Sequence, residues 1–552
     1  MKIKEYSKIF VGLFLICIFF ITYYCLKVKK NNNQNENKLF TGNEAIYIKS
    51  LQNDIWLECK LYDEKNSNLK NRYVFLPVNA TEKYIEIYNN YKATIEIEDV
   101  KILPQKSKKI NYIDGEKIEL KDSKKSWNLW LFKSGAEASV FVNDTTGVYK
   151  DYNGDIVNND VYSFLIDNKE NSVKDSECII VDKNGTNKTT LKKIKGRGNT
   201  SWRETEKKPF NLTFYDQTLI GHTNSKKFSF ISTTRDPIMI KNKLVQDLSN
   251  EIGLPYSPNI SYADFYINGV YRGVYEICEK VDMGKKSLIS LENNYKDNDA
   301  NFNFVVELDI GNYENDNYFI SEKGFPIILK TPDLEEYNKN ELSENKQYNY
   351  IKQTYQKFED ALYKGTLEDL EKICDIKSLA KMYLIQELGK NCDGGFTSTF
   401  FTYNAKEGKF YISPTWDCDL MFGSKEIYRD GCEKSTQDVE GWFTRIATYE
   451  GKVNPLGQAF NLSGKTSDGK TFEEICKKEW KENFEPAIKI ILGCSESNSR
   501  LKSIDEYAKQ VDIAVRNNNL IYGYEYTNKY HLTNSVDLNN LYEYEYQKKL
   551  YR

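Results

Sequence analysis

Hydrophobic and polar positions along the chain form three successive patterns. An unbroken apolar run comes first, at 9–26, with lysines on both sides. Short alternating stretches follow from about 41 to 150, and this period of two is typical of strands with one buried face. From 151 to 435 alternating and helical spacings are mixed, and from 436 to 552 helical spacing dominates. The pattern predicts an α+β protein with several units.

The first apolar run has the length of a membrane anchor. At about 1.5 Å per residue, the run at 9–26 just spans the hydrocarbon core of a bilayer. No small-residue cleavage motif follows it, so we predict an uncleaved signal anchor at 1–30 and a polar linker at 31–40. Lysines flank the run almost equally, and charge therefore leaves the orientation open. We expect a single-pass protein of the cell membrane, with its large part extracytoplasmic or in a spore-related compartment.

The rest of the chain divides into two globular parts. Alternating runs such as DIWLECKLY and ATIEIEDVKIL, separated by turn residues, predict a small β-rich, sandwich-like domain at 41–150. The main domain at 151–435 contains a helical repeat of apolar residues near 236–253. It also contains a hairpin with Asn268-Gly269 as its turn. The segment 436–552 is predicted as a mainly helical extension of that domain.

Composition excludes some classes of function. The net charge of −3 lacks the concentrated basic face of nucleic-acid-binding proteins, so we expect no nucleic-acid partner. Only His222 and His531 occur in 552 residues, which leaves little material for histidine catalysis or histidine metal sites. No Cys-x-x-Cys pair is present, which argues against a zinc knuckle. The composition therefore gives little support for nucleic-acid binding, histidine chemistry or a zinc knuckle.

Acidic residues near the end of the main domain are candidates for a metal site. The sequence WDCD places Asp417 and Asp419 two residues apart after an apolar strand, so both would point to one face of that strand. Their oxygens suit Mg²⁺ or Mn²⁺, whereas a pair of solvated carboxylates is the alternative. Asp393 lies 24 residues earlier in a glycine-rich loop. A loop Asp before a hairpin that ends in a metal-binding Asp is the layout of a kinase catalytic loop, although Asp-Gly is also a common turn.

A glycine-rich stretch, KIKGRGNTSW, is a candidate for binding phosphate. Gly196 and Gly198 flank Arg197, whose forked donors suit phosphate. The spacing of a Walker loop is absent, and a simple turn is the alternative. Lys207 and Lys208 head the next predicted strand, where one of them could reach a nucleotide phosphate or where both could be solvated.

Together these stretches resemble a known family. The order Arg-Gly-Asn-x-Ser-Trp, Lys-Lys-Pro-Phe, YINGVYRGVYEICEKVD, a loop Asp, and Pro-x-Trp-Asp-x-Asp followed by Phe-Gly is similar to that of the CotH family, the spore-coat-protein-H-like kinases. The resemblance covers roughly 190–425. It implies an atypical protein-kinase-like fold that uses ATP and Mg²⁺ (or Mn²⁺) to phosphorylate Ser or Thr of surface or spore-coat-type proteins.

The resemblance also implies roles for individual residues. Lys208, and less readily Lys207, would contact the nucleotide phosphates, and Glu279 would orient that lysine. Asp393 would position the acceptor hydroxyl, and Asp417 would hold the metal with support from Asp419. The phosphate loop would be shaped by Arg197 and Asn199.

The chain departs from the family pattern at two places. Lys241-Asn242 stands where many members have Arg-Asn, and Ser398-Thr399 stands where many have an Asn suited to a second metal. Two other functions stay open. One is a catalytically inactive kinase-like protein with a structural or adhesive role at the cell surface. The other is a metal-dependent glycosyltransferase, for which Asp-x-Asp is a familiar metal signature.

Overall fold

The computed structural model describes residues 44–529 apart from short gaps at 53, 62–69, 234, 237, 293, 312, 314–316, 333, 335–343 and 424–425. Within these ranges, no helix combines the length and the apolar character needed to cross a membrane. The anchor predicted at 1–30 and the linker at 31–40 lie outside the described residues. The predicted fold class was wrong: the structure supports a β-rich N-terminal region followed by a closed barrel, without support for an anchor.

The N-terminal region consists of two sheets around a shared core. Their orders are β2-β1-β4-β7 and β3-β9-β8-β5-β6. Ile48 on the first sheet and Leu129 on the second belong to one buried apolar cluster. In β9 every second residue is buried, as expected for a strand with one face on a core. The strands are β1 (Ile46–Ser50), β2 (Leu57–Cys59), β3 (Asn71–Phe75), β4 (Tyr84–Asn89), β5 (Ile95–Ile97), β6 (Val100–Ile102), β7 (Ser107–Asn111), β8 (Lys117–Lys121) and β9 (Ser126–Phe132).

The next unit is a barrel, whose elements lie between residues 138 and 279. They are β10 (Ala138–Asn143), β11 (Val148–Lys150), β12 (Ile156–Asn158), α1 (Val161–Asp167), β13 (Ser172–Val173), β14 (Glu177–Asp182), β15 (Gly185–Gly196), α2 (Thr200–Glu204), β16 (Phe210–Ile220), β17 (Thr223–Ile231), α3 (Lys241–Glu251), β18 (Ser261–Ile267) and β19 (Val270–Glu279). In this part of the structure seven strands run in the order β15-β14-β10-β18-β19-β17-β16, and β16 pairs back with β15. This pairing closes the sheet, which leaves no open edge among the seven.

Local turns and one long-range pairing build the barrel. The hairpin predicted around Asn268-Gly269 is confirmed: Ile267 pairs with Val270, and both turn residues have positive φ, as a type I′ turn requires. Strand β10 instead pairs in parallel with β18, more than 100 residues later in the chain. It falls in the segment 41–150 that the sequence assigned to the first β-rich domain. Within the described structure its strand pairing is with the barrel strands β14 and β18, while the Ser139 hydroxyl accepts a hydrogen bond from the Val78 N–H of the N-terminal region.

Helices and a second sheet complete the chain. The elements are β20 (Phe304–Leu308), β21 (Tyr318–Ile320), β22 (Pro326–Thr331), α4 (Lys346–Tyr363), α5 (Leu367–Ile373), α6 (Ile376–Leu388), β23 (Thr399–Asn404), β24 (Lys409–Ile412), β25 (Thr448–Tyr449), β26 (Lys452–Val453), α7 (Pro455–Gln458), α8 (Phe472–Glu479), α9 (Glu485–Ile491) and α10 (Ile504–Lys529). The sheet has the order β21-β22-β20-β23-β24. Its residues share a large apolar core with α3 and the later helices.

Helix α3 joins the barrel to this second sheet. It begins where the buried Asp236 Oδ2 accepts a hydrogen bond of 2.7 Å from the Lys241 N–H, and Gly253 ends it with a φ of +71°. Leu244 and Leu248 on its apolar face pack into the shared core. The helix therefore fixes the position of the β23–β24 hairpin relative to strand β19 of the barrel.

Candidate functional site

Asp417 and Asp419 lie in an irregular segment beyond β24. The strand alternation that was used to place both carboxylates on one face does not apply, because β24 ends at Ile412. Asp417 has a φ of +56°, in the left-handed region that Asp and Asn adopt more readily than other side-chain-bearing residues. Its side chain is exposed, whereas Asp419 is half-buried. A backbone held in this region depends on support from its surroundings.

Helix α3 contacts this segment through two amide side chains, one at the peptide that follows Asp417 and one at Thr415, two residues before it. The Asn242 Oδ1 accepts a hydrogen bond of 2.9 Å from the Cys418 N–H. One turn later, the Gln246 Nε2 donates to the Thr415 carbonyl at 2.8 Å, and the Gln246 Oε1 accepts from the Thr415 hydroxyl at 2.8 Å. All four residues are buried. The segment that carries both aspartates is therefore held against the first two turns of one helix.

The negative charge of Asp393 acts on the carboxyl groups of Asp417 and Asp419. Burial raises the pKa of Asp419 to about 7, and the negative charges of Asp417 and Asp393 add to the rise. The enclosing protein also raises the pKa of Asp417, again with a contribution from Asp393. Asp417 is the most exposed of the three acids, whereas Asp393 and Asp419 are half-buried. Their mutual repulsion makes their surroundings a favourable place for a positive charge.

Three cations face these acids. Arg197 and Arg235 oppose the rise in the pKa of Asp417, whereas Arg235 and Lys241 oppose it for Asp419. The Lys241 Nζ also donates to the Asp419 carbonyl at 3.1 Å. Arg197 was predicted from the sequence as a phosphate contact, whereas Arg235 was not. The signal for Arg235 was its place directly before Asp-Pro at the predicted start of α3.

Asp393 follows α6 in a tight loop and is half-buried. The Arg429 Nη2 lies 3.1 Å from the Asp393 Oδ1, and the Arg429 Nε donates to the Cys392 carbonyl at 2.8 Å. The Thr397 N–H donates to the Asp393 carbonyl at 2.8 Å. Arg429 thus fixes one carboxylate oxygen of Asp393 and the loop beside it.

The glycine-rich stretch places Arg197 beside the segment that carries Asp417. A Cβ on Gly196 would lie 2.6 Å from the Trp202 ring, so the first glycine is required by packing against Trp202. The Arg197 guanidinium lies 5.9 Å from the centre of the Trp416 ring. Trp416 directly precedes Asp417, and this contact ties the loop to the acidic segment.

The other residues predicted for the phosphate loop have different contacts. The Asn199 Oδ1 accepts a hydrogen bond of 2.9 Å from the Lys169 Nζ. The Lys208 Nζ donates to the Trp202 carbonyl at 2.6 Å and lies 5.6 Å from the centre of the Trp202 ring. Lys207 is buried, and it lies before β16 begins at Phe210. The cations that face the acids are therefore arginines and Lys241.

Glu276 and Glu279 end β19 on opposite faces, as expected for residues three apart on a strand. Glu279 accepts a hydrogen bond of 3.1 Å from the Asn259 N–H and lines a polar cavity of about 440 Å³ with Tyr256 and Lys286. Glu276 is buried, and its Oε2 accepts a hydrogen bond of 2.9 Å from the Asn242 Nδ2. Through Asn242, Glu276 is the glutamate of this pair that is connected to the acidic segment. The sequence could not predict this, because the alternation of a strand does not show which face is buried.

Lys207 is a buried lysine between strand β19 and helix α10. Only 1% of the residue is exposed. Its Nζ donates to the Val274 carbonyl and, at 2.7 Å, to the Asn518 Oδ1 of α10. Burial lowers the pKa of Lys207 to about 7, although Glu276 and Asp264 oppose that change.

Lys207→Met is expected to remove a rise in stability with pH. Between pH 7 and about 10, the unfolded chain keeps a proton that the folded lysine has lost, so the free energy of unfolding of the wild type increases with pH. One such proton contributes about 1.4 kcal/mol per pH unit. Denaturant unfolding at several pH values should show a flatter profile for Lys207→Met than for the wild type. Lys226→Met, at a partly exposed lysine, serves as control, and equal slopes for the wild type and Lys207→Met would contradict the prediction.

Comparison with known proteins identifies the family. A family model described as CotH kinase protein matches residues 194–490, more than half of the chain. The chain belongs to the CotH family. No curated protein matches it. The resemblance inferred from the sequence motifs is therefore confirmed, and the protein is a CotH-family, kinase-like protein.

The Asp417 and Asp419 pair has the donor chemistry of a divalent-cation site. In the ranges that the structure describes, no group of three or more His, Cys, Asp or Glu side chains could hold a metal by itself. Mg²⁺ usually takes one or two carboxylates, with water and substrate phosphates as its other ligands. Asp417 and Asp419 supply two carboxylates whose repulsion a cation would relieve. The donor set thus matches a metal shared between protein and phosphate.

Proposed function

We propose that this CotH-family protein is an ATP- and divalent-metal-dependent protein kinase that phosphorylates Ser or Thr of surface or spore-coat-type proteins. The proposal is supported mainly by one cluster of charges: Asp393 and Arg235 act on both Asp417 and Asp419, and Arg197 acts on Asp417. Phosphoryl transfer depends on positioning and on neutralisation of charge, and it needs no histidine. The proposed location is a surface or spore-related compartment.

The residues divide this work between them. Asp417 and Asp419 would hold Mg²⁺ or Mn²⁺, which supplies positive charge next to the phosphates of ATP. The guanidinium groups of Arg197 and Arg235 would offer hydrogen bonds to phosphate oxygens, for which their planar shape is suited. Asp393, held by Arg429 at 3.1 Å, would accept the hydrogen bond of the incoming hydroxyl and orient its oxygen.

The lysine roles implied by the resemblance are redistributed in this proposal. Lys208 contacts Trp202 at the base of the glycine-rich loop, and we propose that it stabilises this loop. A lysine that does contact the acidic segment is Lys241, whose Nζ donates to the Asp419 carbonyl. Glu279 and Tyr256 both line the 440 Å³ cavity. Tyr256 also packs against a small apolar cluster that Trp416 contacts. We propose that this cavity accommodates the part of the nucleotide remote from the transferred phosphate.

The full-length chain is expected to transfer the γ-phosphate of ATP to Ser or Thr. The test incubates it with γ-labelled ATP, Mn²⁺ or Mg²⁺ and dephosphorylated casein, and identifies the labelled residues by mass spectrometry. Label on Ser or Thr that disappears when the metal is chelated supports the proposal. A folded protein that gives no label and no ATP-induced thermal shift would instead support the inactive scaffold. Turnover of a sugar nucleotide without ATP turnover would support the glycosyltransferase.

A further inference from the structure

Asn242 connects the barrel to the acidic segment through both ends of its amide. It lies in the first turn of α3 and is only 4% exposed. Its Nδ2 donates to the Glu276 Oε2 at 2.9 Å, and its Oδ1 accepts from the Cys418 N–H at 2.9 Å. The orientation of the amide follows from the chemistry, because a backbone N–H can only donate and must face the oxygen.

The hydrogen bond to Cys418 acts on the peptide that follows Asp417. The Cys418 N–H belongs to the same planar peptide unit as the Asp417 carbonyl. Fixing this plane fixes the ψ angle of Asp417, whose φ of +56° is unfavourable for most residues. The direction of the Asp417 side chain, and that of Asp419 two residues on, therefore depends on the acceptor that Asn242 provides.

Glu276 gives Asn242 a rigid base. It pairs with Ile231 and Tyr262 on the two neighbouring barrel strands, and its side chain is fully buried. Burial raises the pKa of Glu276 well above its ordinary range, with the charges of Asp236 and Asp419 adding to the effect. Its second oxygen, Oε1, has no hydrogen-bond partner among the described residues, so the contact with Asn242 is the one that orients this side chain.

We propose that Asn242 is a positioning residue for the divalent cation: it transmits the rigid position of barrel strand β19 to the peptide between Asp417 and Cys418. This inference rests on the metal site of the proposed function. Groups that orient metal ligands through hydrogen bonds typically change metal affinity or activity about 10- to 100-fold when they are removed. Asn242 fulfils this role without touching the metal.

The chain contains a matched control for a purely structural role. Gln246 is buried on the same helix one turn later and makes two hydrogen bonds of 2.8 Å with Thr415. Its removal also breaks two buried hydrogen bonds to the acidic segment, but at a residue that precedes Asp417 by two positions and not at its adjacent peptide. Gln246→Ala should therefore lower stability as Asn242→Ala does, without the same effect on metal binding.

The test titrates Mn²⁺ against the full-length wild type, Asn242→Ala, Asn242→Asp and Gln246→Ala. Binding is read from the thermal shift that Mn²⁺ causes in the presence of a non-hydrolysable ATP analogue, and activity is read from labelling at saturating ATP. In both assays, the Mn²⁺ concentration that gives half of the maximal effect should be at least about 10-fold higher for Asn242→Ala than for the wild type. For Gln246→Ala this concentration should equal that of the wild type. Asn242→Asp keeps the acceptor for the Cys418 N–H but loses the donor to Glu276, so its Mn²⁺ requirement should lie between those of the wild type and Asn242→Ala. A raised requirement in Asn242→Asp also tests the inference if Asn242→Ala does not fold.

Several results would overturn the inference. An unchanged Mn²⁺ requirement in the Asn242 variants would remove the positioning role, and equal increases in Asn242→Ala and Gln246→Ala would reduce it to general stability. A wild type without any Mn²⁺-induced shift would remove its basis. If the wild type binds Mn²⁺ but transfers no phosphate, the proposed kinase function fails, and the binding comparison still decides the role of Asn242.

Discussion

Asp417→Asn is expected to reduce ATP-dependent labelling by roughly 100- to 1000-fold, the usual effect of removing one preorganised electrostatic group. The amide has nearly the same shape as the carboxylate, and Asn tolerates the φ of +56° at this position, so the fold should persist. The variant loses the negative charge that we assign to the metal. The Mn²⁺-induced thermal shift should disappear together with the label.

The same substitution should not destabilise the metal-free protein. The charge of Asp417 contributes to the raised pKa of Asp419, which means that the two carboxylates repel each other in the folded state. Removing one of them relieves this repulsion, and the melting temperature without metal should equal or exceed that of the wild type. Asp216→Asn, at a carboxylate with 96% of its side chain exposed, controls for a general effect of losing one acid. A wild-type labelling rate in Asp417→Asn would refute the assignment.

Local features of the fold were predictable from the sequence, and long-range pairing was not. The Asn268-Gly269 turn follows from the dihedral angles that a tight hairpin demands, so four residues suffice to predict it. The closure of the barrel depends on β15 pairing with β16 and on β10 lying beside β18. Neither pairing can be predicted from the alternation of polar and apolar residues in one strand, because that alternation does not specify the partner strand.

The candidate site divides in the same way. Asp393, Asp417 and Arg197 were selected from turn and motif patterns, and in the structure the charges of Asp393 and Arg197 both act on Asp417. The choice between Glu276 and Glu279 depended on which face of a strand is inside. The choice between Lys207 and Lys208 depended on the path of the segment before β16, where both lysines lie. Both depend on the tertiary fold, which buries Lys207 and Glu276.

The contacts that hold the acidic segment could not be predicted from the local sequence either. Lys241 and Asn242 were noted only as a departure from the family pattern. Their contacts with Asp419 and Cys418 span more than 170 residues of sequence. A helix can be predicted from its periodicity, but the loop that its polar face will hold depends on where the rest of the chain places that loop.

Asp393→Asn is expected to lower the rate of phosphoryl transfer by about 10²–10⁴-fold while metal and nucleotide binding persist. The carboxylate accepts the hydrogen bond of the incoming hydroxyl in our proposal, and a neutral amide is a much weaker acceptor for that proton. Asp393 is separate in the chain from the Asp417 segment and is fixed by Arg429 at 3.1 Å. The Mn²⁺-induced thermal shift should therefore stay within the wild-type range, in contrast to Asp417→Asn.

Single-turnover labelling, with ATP and Mn²⁺ both saturating, separates this loss of rate from a loss of binding. Arg429→Gln is the matched variant, because it keeps the Asp393 carboxylate and removes the guanidinium that contacts both Asp393 and the Cys392 carbonyl. A smaller loss in Arg429→Gln than in Asp393→Asn is expected, since the reacting carboxylate is still present but less well oriented. If Asp393→Asn transfers phosphate at the wild-type rate, or loses Mn²⁺ binding as Asp417→Asn does, then Asp393 does not orient the acceptor hydroxyl and the division of roles between the two loops must be abandoned.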